Sequence, residues 1–138
     1  MANGADTVTL RAVVVDRQGN RVGAGVTVNW STSLGQLQTA TTTDSKSETT
    51  AVLIAPTSTG VATVTAKAAG GDAGQVVSVT FMADASTARV ATVAASKTSG
   101  LADGMDTVTF TATVADAKGN PVGAGVAVNW GASLGKLL

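Results

Sequence analysis

The sequence predicts an all-β fold of the two-sheet sandwich type, and three observations support this prediction. Valine and threonine, which favour the pleated sheet, make up 42 of the 138 residues. Apolar and polar residues alternate along many segments, whereas no segment has apolar residues at helical spacing. Two segments repeat each other at an offset of 100 residues, which is the length of one sandwich domain.

The repeat relates residues 2–38 to residues 102–138 without a gap, and 23 of the 37 aligned pairs are identical. A period of about 100 residues is typical of an immunoglobulin-like sandwich. We therefore expect residues 1–84 to form one nearly complete domain that lacks its first strand. Residues 85–138 are expected to form the N-terminal half of the next repeat, so that the chain is a piece of a longer tandem array.

The first predicted strand covers residues 7–16 and places Val8, Leu10, Ala12 and Val14 on one apolar face. In its copy, Phe110 and its alternate neighbours occupy the same face. Turns follow at residues 16–20 and 116–121, where Asp, Gly and Asn are the residues that turns favour. The next strand covers residues 26–31 and is repeated at 126–130.

Four further strands are predicted in the first repeat, each bounded by turn residues. They cover residues 37–43, 49–55, 60–67 and 74–82, with a hairpin turn at 69–72 between the last two. A tryptophan on the third strand of a sandwich is expected to lie in the core. The predicted core residues are Val8, Leu10, Val28, Trp30, Val64, Val79, Phe81, Phe110, Val128 and Trp130.

Composition excludes several classes of function. The chain has no His, Cys or Tyr and a single Glu, so the usual catalytic dyads and triads and the zinc, haem and iron–sulfur ligand sets are missing. We predict that it is not an enzyme and needs no cofactor. The formal net charge is zero, which argues against a nucleic-acid partner.

Two kinds of site deserve a structural test. Asp84, Asp103 and Asp106 fall near the junction of the two repeats and are weak candidates for a Ca²⁺ site, although Asp residues at turns more often cap the backbone. Asp72 lies in the predicted hairpin turn. An isopeptide cross-link joins a lysine to an asparagine, and the candidate residues are Lys67 or Lys97 with Asn29 or Asn129. That chemistry needs a buried carboxylate nearby.

The second repeat resembles the bacterial immunoglobulin-like repeat, of the Big-1 type, found in the invasin and intimin family. The resemblance is carried by Asp103-Gly104 and Asp106 before a Thr/Val strand, by the turn Asp116-x-x-Gly119-Asn120-Pro121-Val122, and by the strand that ends at Trp130. In the first repeat, residues 60–66 resemble the Gly-x-Ala-x-Val-Thr-Ala strand of this family, and residues 79–81 resemble its closing strand. Arg21 replaces the proline of the turn.

This resemblance implies a structural spacer in the shaft of a surface adhesin, which extends an adhesive tip from the bacterial outer membrane. The implied partners are neighbouring repeats of the same array and, as an alternative function, a host receptor or matrix protein that the module binds itself. A half repeat also exposes apolar strands that a second sheet would cover. We therefore expect the chain to self-associate through the second repeat or to be poorly ordered there.

Overall fold

A computed structural model describes residues 1–71 and 73–138 of the chain. It divides into two compact units, Met1–Met82 and Ala83–Leu138, and each is treated below by itself. The regular structure in the described residues consists of β-strands and one short 3₁₀ turn. Within the same residues, no helix has the length and apolar character needed to cross a membrane.

The first unit is a sandwich of two antiparallel sheets, as the sequence predicts. One sheet has three strands in the order β1-β5-β3, and the other has four strands in the order β4-β2-β6-β7. The strands are β1 (Thr7–Val13), β2 (Thr27–Thr32), β3 (Gln36–Leu37), β4 (Ala40–Thr42), β5 (Glu48–Ile54), β6 (Gly60–Ala68) and β7 (Gln75–Phe81).

The segment predicted as one strand over residues 37–43 is in fact two short strands in different sheets. Strand β3 pairs with β5, whereas β4 pairs with β2. The chain therefore crosses from one sheet to the other at residues 38–39, and the alternation pattern does not reveal this crossing. Gly35 marks the approach to β3, because its φ is +83° and a Cβ there would lie 2.5 Å from the Ile54 carbonyl oxygen.

The core of the first unit lies between the inner faces of its two sheets. Strand β1 contributes Leu10, and β5 contributes Leu53, whose side chain is fully buried. Of the residues placed in the core from the sequence, Val28, Trp30, Val64 and Phe81 are also buried, while Val8 and Val79 are partly buried against them.

Trp30 also makes a polar connection across the sandwich. Its Nε1–H donates to Thr41 Oγ1 at 2.7 Å, and Thr49 Oγ1 donates to the same oxygen at 2.7 Å. Thr41 lies on β4 and Thr49 on β5, so this chain of hydrogen bonds joins the two sheets. The indole N–H is therefore satisfied inside the core, where an unpaired donor would destabilise the fold.

The second unit contains one pair of strands. After a 3₁₀ turn at Ala85–Thr87, β8 (Arg89–Ala95) pairs antiparallel with β9 (Phe110–Ala115), with an irregularity between Val90 and Thr92. Strand β9 corresponds to β1 at the 100-residue offset. All seven residues of β8 are exposed.

Two aromatic residues that the sequence places in a core are half exposed in this unit. Phe110 is 49% exposed and Trp130 is 44% exposed, with their ring centroids 6.2 Å apart, and Val128 is partly buried. Residues 126–130 form no strand, unlike β2 in the first unit. The physical reason is that, among the described residues, this unit has no counterpart of β4 and β6, which pair with β2 and cover Trp30.

Replacing Leu53 by Ala tests the core of the first unit. We expect Leu53→Ala to lower the free energy of unfolding by about 2–5 kcal/mol, because it leaves a cavity between the sheets. The adjacent Val52 points outward on the same strand, so Val52→Ala is the matched control and should cost less than about 1 kcal/mol. Urea unfolding measures both values. Equal effects of the two substitutions would contradict this placement of the core.

Candidate functional site

The carboxylates proposed as weak Ca²⁺ ligands cap turns in the structure. Asp84 accepts hydrogen bonds from Ser86 N–H at 3.1 Å and from Ser86 Oγ at 2.6 Å. Asp103 Oδ1 accepts from the N–H groups of Met105 and Asp106 at 2.9 and 2.8 Å.

The third candidate, Asp106, forms an ion pair with Lys97 and accepts the Leu101 N–H at 2.8 Å. These contacts hold the pKa of Asp106 below its usual value, the hydrogen bond from Lys97 having the largest effect. Across residues 1–71 and 73–138, no three His, Cys, Asp or Glu side chains come together in a group able to hold a metal ion. Asp72, which the sequence places in a hairpin turn, is outside the described residues.

Asn29 and Lys67 are brought directly opposite each other on β2 and β6. Both side chains are exposed on the outer face of the four-stranded sheet. Their exposure leaves the lysine amine in water, whereas attack on an amide needs a neutral amine beside a buried acid. The pair therefore fits a solvated surface better than a cross-link.

The two copies of the Asp-x-x-Gly-Asn turn have the same internal hydrogen bonds. Asp16 Oδ1 accepts from Gln18 N–H at 2.9 Å and from Asn20 N–H at 2.8 Å. Asp116 Oδ1 accepts from Lys118 N–H and Asn120 N–H at the same two distances. The glycine of each turn has a φ near +88°, a conformation that residues with a Cβ rarely adopt (Gly19 +88°, Gly119 +87°).

The turn at Asp116 also holds the segment that enters its unit. Asp116 Oδ2 accepts the backbone N–H of Asp84 at 3.1 Å, and the Ala117 N–H donates to Thr87 Oγ1 at 3.1 Å. The 3₁₀ turn at 85–87 is thus tied to the Asp116 turn at two points. Asp116 is fully buried, whereas Asp16 is exposed.

The environment of Asp116 keeps its carboxylate ionised. Burial by itself raises the pKa of Asp116, but hydrogen bonds from the Asn120 side chain and from the backbone N–H groups of Asn120, Asp84 and Lys118 outweigh it. The net result lowers the pKa from 3.8 to about 2. The sequence pointed to this aspartate as a turn residue, but it gave no sign that the turn anchors residues 83–87.

A charged cluster around the single glutamate was not predicted from the sequence. Glu48 pairs with Arg11 on the neighbouring strand and with Arg21, whose Nη1 lies 3.2 Å from Glu48 Oε1. Arg21 also donates to the Lys46 carbonyl oxygen. At the 100-residue offset these arginines become Thr111 and Pro121, so the cluster belongs to the first unit only. The first turn has Arg21 where the second has Pro121, and the ion pair between Arg21 and Glu48 explains this difference.

Comparison with known proteins agrees with this architecture. The family described as invasin, domain 3, matches residues 1–84. No curated protein sequence matches the chain. A solved structure of the D0-D1 domain of intimin is 28% identical over 83% of this chain and 59% of that one, with a TM-score of 0.52.

Two longer solved chains are also similar. One is a C-terminal fragment of intimin in complex with the intimin-binding domain of the translocated intimin receptor. It is 22% identical over 64% of this chain and 33% of its own, with a TM-score of 0.52. The other is invasin, a bacterial integrin-binding protein, which is 32% identical over 89% of this chain and 25% of its own, with a TM-score of 0.49. The chain thus spans about a quarter to three fifths of the solved chains that it matches.

Acid titration tests the role of Asp116. Because its pKa is lower in the folded state than the usual 3.8, its contribution to stability is complete above about pH 4 and is lost as the pH falls towards 2. We expect Asp116→Asn to destabilise the second unit at neutral pH and to flatten this acid response. The NMR signal of the Ser96 N–H, which donates to the Thr109 carbonyl oxygen between β8 and β9, reports unfolding of that unit.

Asp16→Asn is the matched control. Asp16 lies in the first copy of this turn and accepts the same two backbone N–H groups within the turn, but it does not bind the Asp84 amide. The substitution should leave the acid response followed by the Ser96 N–H unchanged. The assigned role of Asp116 is refuted if wild-type and Asp116→Asn chains lose stability in parallel between pH 4 and pH 2.

Proposed function

This chain belongs to the invasin domain 3 family, and on that premise we propose that it is a spacer repeat in the shaft of a bacterial surface adhesin. In this proposal the full-length protein is anchored in the outer membrane, and its tandem repeats hold an adhesive tip away from the cell. Neighbouring repeats are the natural partners of this chain. We assign the repeat to the Big-1 subtype on the strength of its Asp-x-x-Gly-Asn turns.

The observation that carries the spacer proposal is the anchoring of residues 83–87. A shaft resists bending when the segment that enters each repeat is fixed to the body of that repeat. Asp116 provides such a fixed point, because its buried carboxylate binds the Asp84 amide and two further N–H groups in the turn. Charge-assisted hydrogen bonds of this kind are stronger than neutral ones.

A non-catalytic role agrees with the polar groups that the fold brings together. The carboxylates described above bind backbone amides, arginine or lysine, and the chain has no histidine or cysteine for proton transfer or nucleophilic attack. What the fold provides instead is a two-sheet sandwich in the first unit.

The alternative function is that the module itself binds a host receptor or matrix protein. Exposed aromatic residues often dominate binding surfaces, and Phe110 with Trp130 forms an exposed pair in the second unit. We favour the spacer because these two residues correspond to the core residues Leu10 and Trp30 of the first unit. Their exposure then follows from the lack of a covering sheet among the described residues of this unit and does not indicate a dedicated binding surface.

Binding to cultured epithelial cells separates the two functions. We expect the labelled 138-residue chain, freed of aggregates, to show no saturable binding beyond that of an unrelated immunoglobulin-like domain. A Phe110→Ser, Trp130→Ser variant measures how much adherence the exposed aromatic pair produces. Saturable binding of the unaltered chain above that of the unrelated domain would refute a pure spacer role, and its loss in the variant would assign the receptor-binding surface to the exposed pair.

We also propose that the isolated chain self-associates through its second unit. Val90, Val93, Phe110 and Trp130 are between about two fifths and three fifths exposed there, and exposed apolar strands drive association. Sedimentation velocity over a range of protein concentrations should show a sedimentation coefficient that rises with concentration. A single monomeric species at every concentration would contradict this proposal.

A further inference from the structure

The first unit has an open groove beside strand β1. Its volume is about 530 Å³, and its floor consists of the core residues Val28, Trp30 and Val64. One wall is formed by residues 9–15 and the other by residues 75–77 of β7 with the end of β6. The valines at its rim, Val13, Val15, Val76 and Val77, are each about half exposed or more. An apolar groove that reaches the core of a sandwich is a binding site for a further β-strand.

The backbone along this groove is also available for pairing. Strand β1 is the edge of its sheet, and no strand in the described part of the chain pairs with its outer side. The Val14 N–H donates to the Ser47 carbonyl oxygen on the β5 side. Because successive residues of a strand point their N–H and C=O groups to opposite sides, those of Thr9, Arg11 and Val13 point to the open side.

The second unit shows which strand fits this edge. Strand β9, which is the copy of β1, is paired along the corresponding side by β8. The partners of β8 are residues 110–115, which become residues 10–15 at the 100-residue offset. Those are the residues that line the groove. The 100-residue repeat and the lining of the groove therefore indicate independently that residues 10–15 are where a strand like β8 pairs.

The side chains of β8 also match the groove in this register. Val90, Val93 and Ala95 pair with Val114, Ala112 and Phe110, so each pair shares one face of the two-stranded sheet. On β1 the same face carries Val14, Ala12 and Leu10, which point towards the core. Strand β8 would therefore place two valines and an alanine over Trp30 and its neighbours.

From these matches we propose that the groove of the first unit binds strand β8 of a second copy of this chain. The strand leaves β9 of its own copy and pairs antiparallel with β1 of the other, with Val93 opposite Ala12. This exchange replaces a pairing in which Val90 and Val93 of β8 are about half exposed by one in which the apolar face of β8 is buried. The inference rests on the self-association proposed above. It assigns β8 as the segment that mediates association and the groove beside β1 as the site that binds it.

A disulfide that locks β8 to its own β9 tests this mechanism, and the chain has no native cysteine to interfere. Ser96 N–H donates to the Thr109 carbonyl oxygen, so Val93 and Ala112 form a non-hydrogen-bonded pair with Cα atoms about 4.5 Å apart, which a disulfide spans. The oxidised Val93→Cys, Ala112→Cys chain should stay monomeric at concentrations where wild type associates. The same protein after reduction is the matched control and should associate again.

A second experiment traps the exchanged pair directly. Mixing an Ala12→Cys chain with a Val93→Cys chain should give an interchain disulfide at least about tenfold faster than mixing Val61→Cys with Val93→Cys, because pairing raises the effective concentration of the two thiols. Val61 is exposed on β6 and does not line the groove, so it reports random collisions. Equal rates for the two mixtures would overturn the proposal.

The outcomes separate this inference from the broader one. If the oxidised lock associates as wild type does, the exchange of β8 is refuted while self-association through another surface of the second unit stands. A wild-type chain that is monomeric at all concentrations refutes both. The spacer function depends on neither result, since it is tested by binding to cells.

Discussion

Burial of Trp30 between two sheets that have no disulfide is the constraint on which the first unit depends. The indole ring fills the space between the sheets, and its N–H needs an acceptor there. Thr41 supplies the acceptor, and Thr49 extends the hydrogen bonds to the opposite sheet. The same interaction that satisfies the tryptophan therefore fixes the two sheets against each other. Trp130 occupies the same place in the repeat, yet it is half exposed, because no opposing sheet is described around it. The same three residues, Val-Asn-Trp, thus differ in burial between the two units, and the difference lies in the strands contributed from far along the chain.

The two Asp-x-x-Gly-Asn turns show how a repeated motif acts at two levels. At the local level, Asp16 and Asp116 accept the same backbone N–H groups, and each turn closes in the same way. At the next level, Asp116 also binds an amide from the segment that leads into its unit. The local bonds explain why the motif forms a turn, whereas the additional bond fixes the entrance of the repeat. A buried carboxylate is well suited to this task, since its four acceptor positions serve donors from several directions at once.

Most strands of the first unit could be predicted from alternation and turn residues, and their limits differ from prediction by at most three residues. The sandwich and the position of Trp30 in its core also followed from the sequence, because a period of two with one apolar face is a local property. What could not be predicted depends on contacts between distant residues. The division of residues 37–43 between two sheets, the cluster of Glu48 with two arginines and the link from Asp116 to Asp84 are of this kind. Half-exposed Phe110 belongs with them, because alternation shows which face of a strand is apolar but not whether another sheet covers it.

A tandem array built from similar repeats has a general difficulty with strand pairing. Residues 7–16 and 107–116 share most of their inward-facing residues, so an edge of one repeat accepts a strand that belongs to another. The irregularity between Val90 and Thr92 does not prevent this, because the residues on either side of it still match the corresponding positions on β1. The preference of a strand for its own repeat therefore has to come from the covalent chain, since a strand tethered beside its own partner has a high effective concentration there. The bond between Asp116 and the Asp84 amide strengthens that tether, because it holds the segment just before β8 against the turn that follows β9. In the spacer proposal the buried aspartate fixes the entrance of a repeat, and the same hydrogen bond holds β8 beside its own partner.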